Sequence, residues 1–303
     1  VPAELRNPAL FLPISFSNDT ALKLARKAVL KPAPLRPGVS SRDVTIDGPG
    51  GPLRVIVYER TGRDRSEPVG GMLWIHGGGF VMGTPEVGND MCSHLVAELG
   101  IVVVSVDYRL APEHPFPAGF DDCVATLDWL AATALELGID PARLAVGGDS
   151  AGGGLAACVA QAALDRGGPS LQLQLLQYPM LDDRTPLRTD GPSAFVWSNS
   201  SNRYAWTAYL GHAPSEQESR PYAAAARRTD LTGLPPAWIG VGDIDLFHAE
   251  DLEYARRLRE AGVPVDLHVE PGLYHAADAL VGTSPSMQAF RQRIIAAVRS
   301  AIG

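Results

Sequence analysis

From about Thr45 onward, short β-branched and apolar runs alternate with segments whose apolar residues recur at helical spacing. This is the pattern of βαβ units on a largely parallel sheet. The runs that predict strands are 44–46, 53–58, 72–75, 102–106, 144–147, 171–176, 237–241 and 265–269. Some, such as Ile101-Val102-Val103-Val104, are apolar at every position, as expected of strands covered by helices on both faces. Eight such strands fit one sheet. Helical spacing predicts helices over 119–137, 151–166, 249–261 and 285–301. The last has Ser284 as N-cap, Pro285 at the first helical position and an apolar stripe of Met287, Phe290, Ile294 and Val298.

Two stretches break the alternation. Residues 1–42 predict a helix near 19–31, with Leu22, Ala25 and Val29 on one face, followed by the breaker run Pro32-Ala33-Pro34-Leu35-Arg36-Pro37. This segment holds 7 Lys+Arg and 2 Asp+Glu, or +5, which leaves 19 − 32 = −13 for the remainder. A basic amphipathic segment of this kind can cover a site, touch a membrane surface or rest on an acidic body. Residues 182–222 are long, polar and carry Trp197, Tyr204, Trp206 and Tyr209. An unstructured loop of that length is unusual, so a helix over 201–210 and part of a lid are expected there. The organisation read from the chain is therefore an N-terminal cap segment (1–42), a catalytic domain (43–181 and 223–303) and a cap insertion (182–222).

The net charge, 26 Lys+Arg against 34 Asp+Glu, is −8, which argues against nucleic acid as a partner. A hydrophobic fraction of 46% and a mean hydropathy of +0.01 match an ordinary globular protein, and no apolar run reaches the roughly 18 residues of a membrane span. The three cysteines, Cys92, Cys123 and Cys158, are odd in number and lack CxxC spacing, so neither a disulfide framework nor a zinc site is expected. No H-E-x-x-H or similar cluster suggests a metal, and no cofactor is implied. The apolar stretch 9–16 is broken by Pro13 and lacks the flanks of a secretory signal, which favours a cytoplasmic protein. The chain starts at Val1 rather than Met, which leaves open what precedes it.

The most informative local sequence is Gly148-Asp149-Ser150-Ala151-Gly152, a G-x-S-x-G placed between a predicted strand and an alanine-rich helix. That context suits a nucleophile elbow, in which a strained turn exposes the serine hydroxyl at the carboxyl end of the sheet and at a helix N-terminus. His76-Gly77-Gly78-Gly79-Phe80 follows the strand ending at Ile75. Acyl transfer needs donors aimed at the oxyanion, and glycines let backbone N–H groups approach it. Gly77, Gly78 and Ala151 are the expected donors. A serine needs a base, and the base needs an acid, in the chain order Ser, acid, His. Of His212, His248, His268 and His275, only His275 lies in a loop just past a strand. Two carboxylates, Asp243 and Asp245, compete for the acid at the end of strand 237–241, and spacing does not choose between them.

With these motifs in order, the sequence resembles the hormone-sensitive-lipase-like, or bacterial family IV, carboxylesterases of the α/β-hydrolase fold. The resemblance rests on H-G-G-G-F at 76–80, Y-R-L-A-P-E-H-P-F-P-A at 108–118, G-D-S-A-G-G at 148–153 and Y-H at 274–275, and it runs from about residue 40 to the C-terminus. It implies a mostly parallel eight-stranded sheet with a helical cap. It further implies a cofactor-independent serine esterase for short- to medium-chain esters, with Ser150, Asp245 and His275 as the triad. The family's acid usually stands in D-P-L, whereas this chain reads Asp245-Leu246-Phe247; the register to Glu250 and Tyr254 still favours Asp245. His76 is expected to hold the glycine loop and Asp149 to support the elbow, neither as a triad member. Trp197, Tyr204 and Trp206 are candidates for lining the cap. A homodimer through the edge near 265–269 is also implied. An amide hydrolase, or a non-catalytic small-molecule receptor on the same fold, is the alternative; retention of all three triad candidates disfavours the receptor.

Overall fold

Val102–Val106, the sequence Val-Val-Val-Ser-Val, is buried at all five positions, and around it the sheet is assembled. The computed structural model describes residues 1–11, 17–27, 32–188 and 195–303. Among them eight strands form one sheet: β1 (Val39–Gly48), β2 (Gly51–Arg60), β3 (Val69–Ile75), β4 (Val102–Val106), β5 (Ile139–Asp149), β6 (Leu171–Gln177), β7 (Ala237–Gly242) and β8 (Val265–Glu270). Their order is β1-β2-β4-β3-β5-β6-β7-β8. β1 pairs antiparallel with β2, and β2 antiparallel with β4, while every pair from β4 to β8 is parallel.

All eight predicted strands are present, and most are longer than their apolar centres. β1 starts at Val39 rather than 44 because Ser40, Ser41, Arg42 and Asp43 lie on an outer edge, half-buried or exposed. The ladder with β2, from Val39↔Arg60 to Gly48↔Gly51, defines them as strand without any apolar alternation.

Helices cover both faces: α1 (Asp19–Lys27), α2 (Asn89–Leu99), α3 (Ala118–Ala132), α4 (Ala151–Asp165), α5 (Asn199–Leu210), α6 (His248–Glu260), α7 (Ala277–Val281) and α8 (Pro285–Ile302). The alternation along β3 separates two cores. Leu73 and Ile75 pack with Leu127 of α3, Leu155 of α4 and Leu258 of α6, whereas Met72 and Trp74 pack with Leu95 of α2 and Ile294 of α8. The sequence reading did not include α2 or α7. α2 opens on Asn89-Asp90 without a side-chain cap, and α7 is five residues long, too short to show a period. The predicted helix 119–137 ends at Ala132, and residues 133–138 form turns that close on Gly138 at φ 62°. α8 carries the expected Ser284 cap, whose Oγ accepts the N–H of Met287. The three cysteines are free and buried, and burial pushes the thiol of Cys158 up to about 12, so none is a reactive thiolate.

α1 is described to Lys27; the remainder of the predicted helix, with Val29, lies outside the described residues. Leu22 is its buried residue. Arg26 donates to the carbonyls of Val81 and Ala111 and to the carboxylate of Glu113, which fastens α1 over the loop that follows β3. Tyr204 of α5 donates to Asp19 at 2.7 Å, joining the N-terminal segment to residues of the 182–222 stretch.

Candidate active site

Ser150 stands at the turn from β5 into α4 with φ 54° and ψ −120°, a backbone conformation that L-residues hold only under constraint. The constraint is visible on both sides. The Ser150 N–H donates to Gln177 O at 2.9 Å, and Ser150 O accepts the N–H groups of Gly154 at 3.0 Å and Met180 at 2.9 Å. Gly152 permits the approach, since a Cβ there would lie 2.0 Å from Ile75 O.

The elbow directs Ser150 Oγ to 2.9 Å from His275 Nε2, and His275 Nδ1 lies 2.9 Å from Asp245 Oδ2. All three side chains are buried. Asp245 Oδ1 accepts the N–H of Phe247 at 2.9 Å, fixing the carboxylate at the start of α6. Asp243, the other candidate, is turned away and accepts the N–H of Gly272 at 2.6 Å. His268 pairs with Asp266 on β8, and the exposed His212 pairs with the buried Glu218, whereas His275 pairs with Ser150. Tyr178 and Phe247 meet the His275 ring edge-on at 4.9 and 5.0 Å. The sequence reading missed both; their signal was position, at the end of β6 and two residues after Asp245.

The glycine loop after β3 winds through left-handed backbone at Gly78, Gly79 and Phe80, with φ 116°, 61° and 64°. Val81 and Met82 both donate to Gly78 O at 3.1 Å. The Gly77 N–H donates to Asp149 Oδ1 at 3.2 Å, and the space where its Cβ would stand is filled by that carboxyl. The Gly77 N–H is thus engaged by Asp149. Burial, reinforced by the charge of Asp278, pushes the Asp149 carboxyl up to about 7. His76 is fully buried, and burial pulls it down to about 4, so its ring is neutral near pH 7. Its Nδ1 lies 2.8 Å from Gly77 O, which places the proton on Nδ1. Tyr108 stacks on the ring at 4.3 Å and donates to His76 O at 3.0 Å.

The three aromatic candidates separate. Trp197 lies beside the site: its ring is 6.3 Å from that of His275, and a Cβ on Gly79 would be 2.2 Å from the indole. Trp206 is an internal packing residue, 1% exposed, against Phe80 at 5.1 Å and Tyr209 at 5.9 Å. Tyr204 donates to Asp19 of α1. Among the described residues no cluster of three or more His, Cys, Asp or Glu side chains suits a metal ion, and no helix is long and apolar enough to cross a membrane.

Residues 72–279 match the alpha/beta hydrolase fold family. The chain is 36% identical to esterase LipI of Mycobacterium tuberculosis, over 95% of this chain and 91% of the relative. It is also 36% identical to carboxylesterase NlhH of the same species, over 96% and 92%. Among solved structures it is similar to a bacterial heroin esterase, with a TM-score of 0.88 at 37% identity over 98% of both chains. The esterase of the archaeon Pyrobaculum calidifontis gives a TM-score of 0.83 at 32% identity over 95% and 93%.

Proposed function

Because this chain belongs to the alpha/beta hydrolase fold family, we propose that it is a serine carboxylesterase acting on short- to medium-chain esters through Ser150, His275 and Asp245. The observation that carries the reading is the pair of 2.9 Å contacts linking Ser150 Oγ, His275 and Asp245. Serine attacks only when its proton has somewhere to go. His275 Nε2 takes that proton as Oγ forms a bond to the ester carbonyl carbon, and Asp245 holds the Nδ1 proton and stabilises the imidazolium. The carbonyl oxygen, now negative, is received by the N–H groups of Gly78 and Ala151. With Gly77 committed to Asp149, Gly79 takes its place in the loop. The imidazolium returns its proton to the alcohol oxygen as the C–O bond breaks, leaving an acyl-Ser150 ester. A water deprotonated by His275 then releases the acid and restores Ser150.

The described parts of residues 1–42 and 182–222 serve as the cap over this site. Support comes from the Tyr204–Asp19 hydrogen bond and from Trp197 lying against Gly79. The dimer implied by the family resemblance would use β8, which stands at the edge of the sheet. Light scattering decides it, since a single 32.2 kDa species in solution would remove the dimer. For the activity itself, hydrolysis of p-nitrophenyl acetate, butyrate, octanoate and palmitate is compared between wild type and Ser150→Ala. Turnover that peaks at the shorter chains and disappears in the variant is the expected result. Turnover that survives in Ser150→Ala, or none on any chain length, rejects the proposal.

A further inference from the structure

Asp278 follows His275 by three residues, in the first turn of α7, and both its carboxylate oxygens are engaged. Oδ1 accepts the hydroxyl of Tyr178 at 2.7 Å, and Oδ2 accepts the side-chain amide of Gln177 at 3.0 Å. The same amide also donates to the Tyr178 hydroxyl oxygen at 2.8 Å, closing a three-membered ring of hydrogen bonds. Gln177 and Tyr178 are buried, and they are the residues that hold the site from behind: Gln177 O accepts the Ser150 N–H, and the Tyr178 ring meets His275 edge-on. Tyr178 adopts φ 37°, and its N–H donates to Gly240 O at 2.7 Å, so its ring is directed by backbone as well as by Asp278.

Resting on the triad reading above, we propose that Asp278 is a positioning residue that sets the distance between Ser150 and His275. It touches no reacting atom. The peptide that carries Gln177 and Tyr178 is anchored to the elbow, and the loop that carries His275 continues through Ala276, at φ 55°, directly into α7. A single carboxylate therefore joins the segment bearing the base to the segment holding the nucleophile. A carboxylate suits this role because it is acceptor-only and can take two donors at once, and charged acceptors make the stronger hydrogen bonds. Remove it, and the histidine loop keeps its packing against Phe247 and its hydrogen bond to Asp245 but loses its tether to Gln177 and Tyr178. The Ser–His contact then samples longer distances.

The test uses active-site titration with a fluorophosphonate probe, followed by kcat per titrated site and KM on p-nitrophenyl butyrate. Asp278→Ala is expected to lower kcat per titrated site by about ten- to a hundred-fold, the scale of a small misplacement in the reacting geometry, with KM close to wild type. Asp278→Asn recovers most of that loss. Its carbonyl keeps the Tyr178 hydroxyl, and Gln177, whose Oε1 has no partner among the described residues, turns to accept the new amide. A merely structural role would lower the melting temperature and the titratable fraction while leaving kcat per titrated site unchanged, and that result overturns the proposal. Should Asp278→Ala not fold, Tyr178→Phe removes one of the two donors and is expected to act in the same direction; unchanged kcat there also overturns it. Failure of the probe to label Ser150 in the wild type would reject the triad reading, and this inference with it. Labelled wild type with unaltered variants rejects the inference alone.

Discussion

The carboxylate of Asp245 reaches His275 Nδ1 at 2.9 Å, while Asp243, two residues earlier on the same turn, points outward to the N–H of Gly272. Asp245→Asn is therefore expected to lower kcat by about a thousand- to ten-thousand-fold, because an amide favours the wrong imidazole tautomer. Asp243→Asn should stay near wild type, since its hydrogen bond is on the surface. Steady-state kinetics on p-nitrophenyl butyrate checks both, and the reverse ranking would mean that Asp243 is the acid.

Asp251, in the first turn of α6, is fully buried, and neither oxygen has a partner among the described residues. Burial, with Glu250 and Asp245 nearby, pushes its carboxyl well above the usual range. The folded state thus retains a proton that the unfolded chain releases above about pH 4. Stability from this group is full below that pH and is lost as pH rises toward the folded value, by up to about 1.4 kcal/mol per pH unit. Asp251→Asn removes the titration, so urea unfolding should show its advantage over wild type growing from pH 5 to pH 8. A gap that does not change with pH would show that Asp251 is ionised in the folded protein.

Trp197 and Trp206 should part in their consequences. Trp197→Ala opens space beside Gly79 and His275, and the preferred p-nitrophenyl ester should shift to a longer chain. Trp206→Ala empties a closed pocket against Phe80 and Tyr209 and should cost about 3–5 kcal/mol of stability. Chain-length profiles and thermal unfolding of the two variants, measured together, decide whether the roles are so divided.

Gly152→Ala would drive a methyl group to 2.0 Å from Ile75 O and 2.6 Å from His76 O, both backbone atoms that cannot swing aside. A loss of about 3 kcal/mol or more is expected, beyond ordinary overpacking, with activity falling in parallel as the elbow is displaced. A melting temperature equal to that of wild type would show that strand and helix approach less closely than described.

The sequence alone determined the sheet and singled out the elbow. Strands buried on both faces are apolar along most of their length, so the run Ile101-Val102-Val103-Val104 announces itself. A G-x-S-x-G turn is a local object whose small residues are required by its own backbone geometry, so Ser150 is legible from neighbours in sequence. Exposed pairing is not: residues 39–43 of β1 are strand only because β2 lies alongside them.

Orientation was left to the tertiary structure. Asp243 and Asp245 are chemically identical and two residues apart; spacing does not separate them, the family register favours Asp245, and in the fold the loop carrying His275 meets Asp245 while Asp243 turns to Gly272. Gly77 and Gly78 are identical in sequence terms, yet the Asp149 carboxyl claims the N–H of the first. Trp197, just before α5, lies against Gly79 and His275, whereas Trp206, within α5, packs on Phe80 and Tyr209. Asp278 shows no motif at all; its meaning comes from Gln177 and Tyr178, a hundred residues away along the chain and within 3.0 Å in space. Periodicity and motifs report what a residue needs locally, whereas the partner of a side-chain donor or acceptor is set by packing between distant segments.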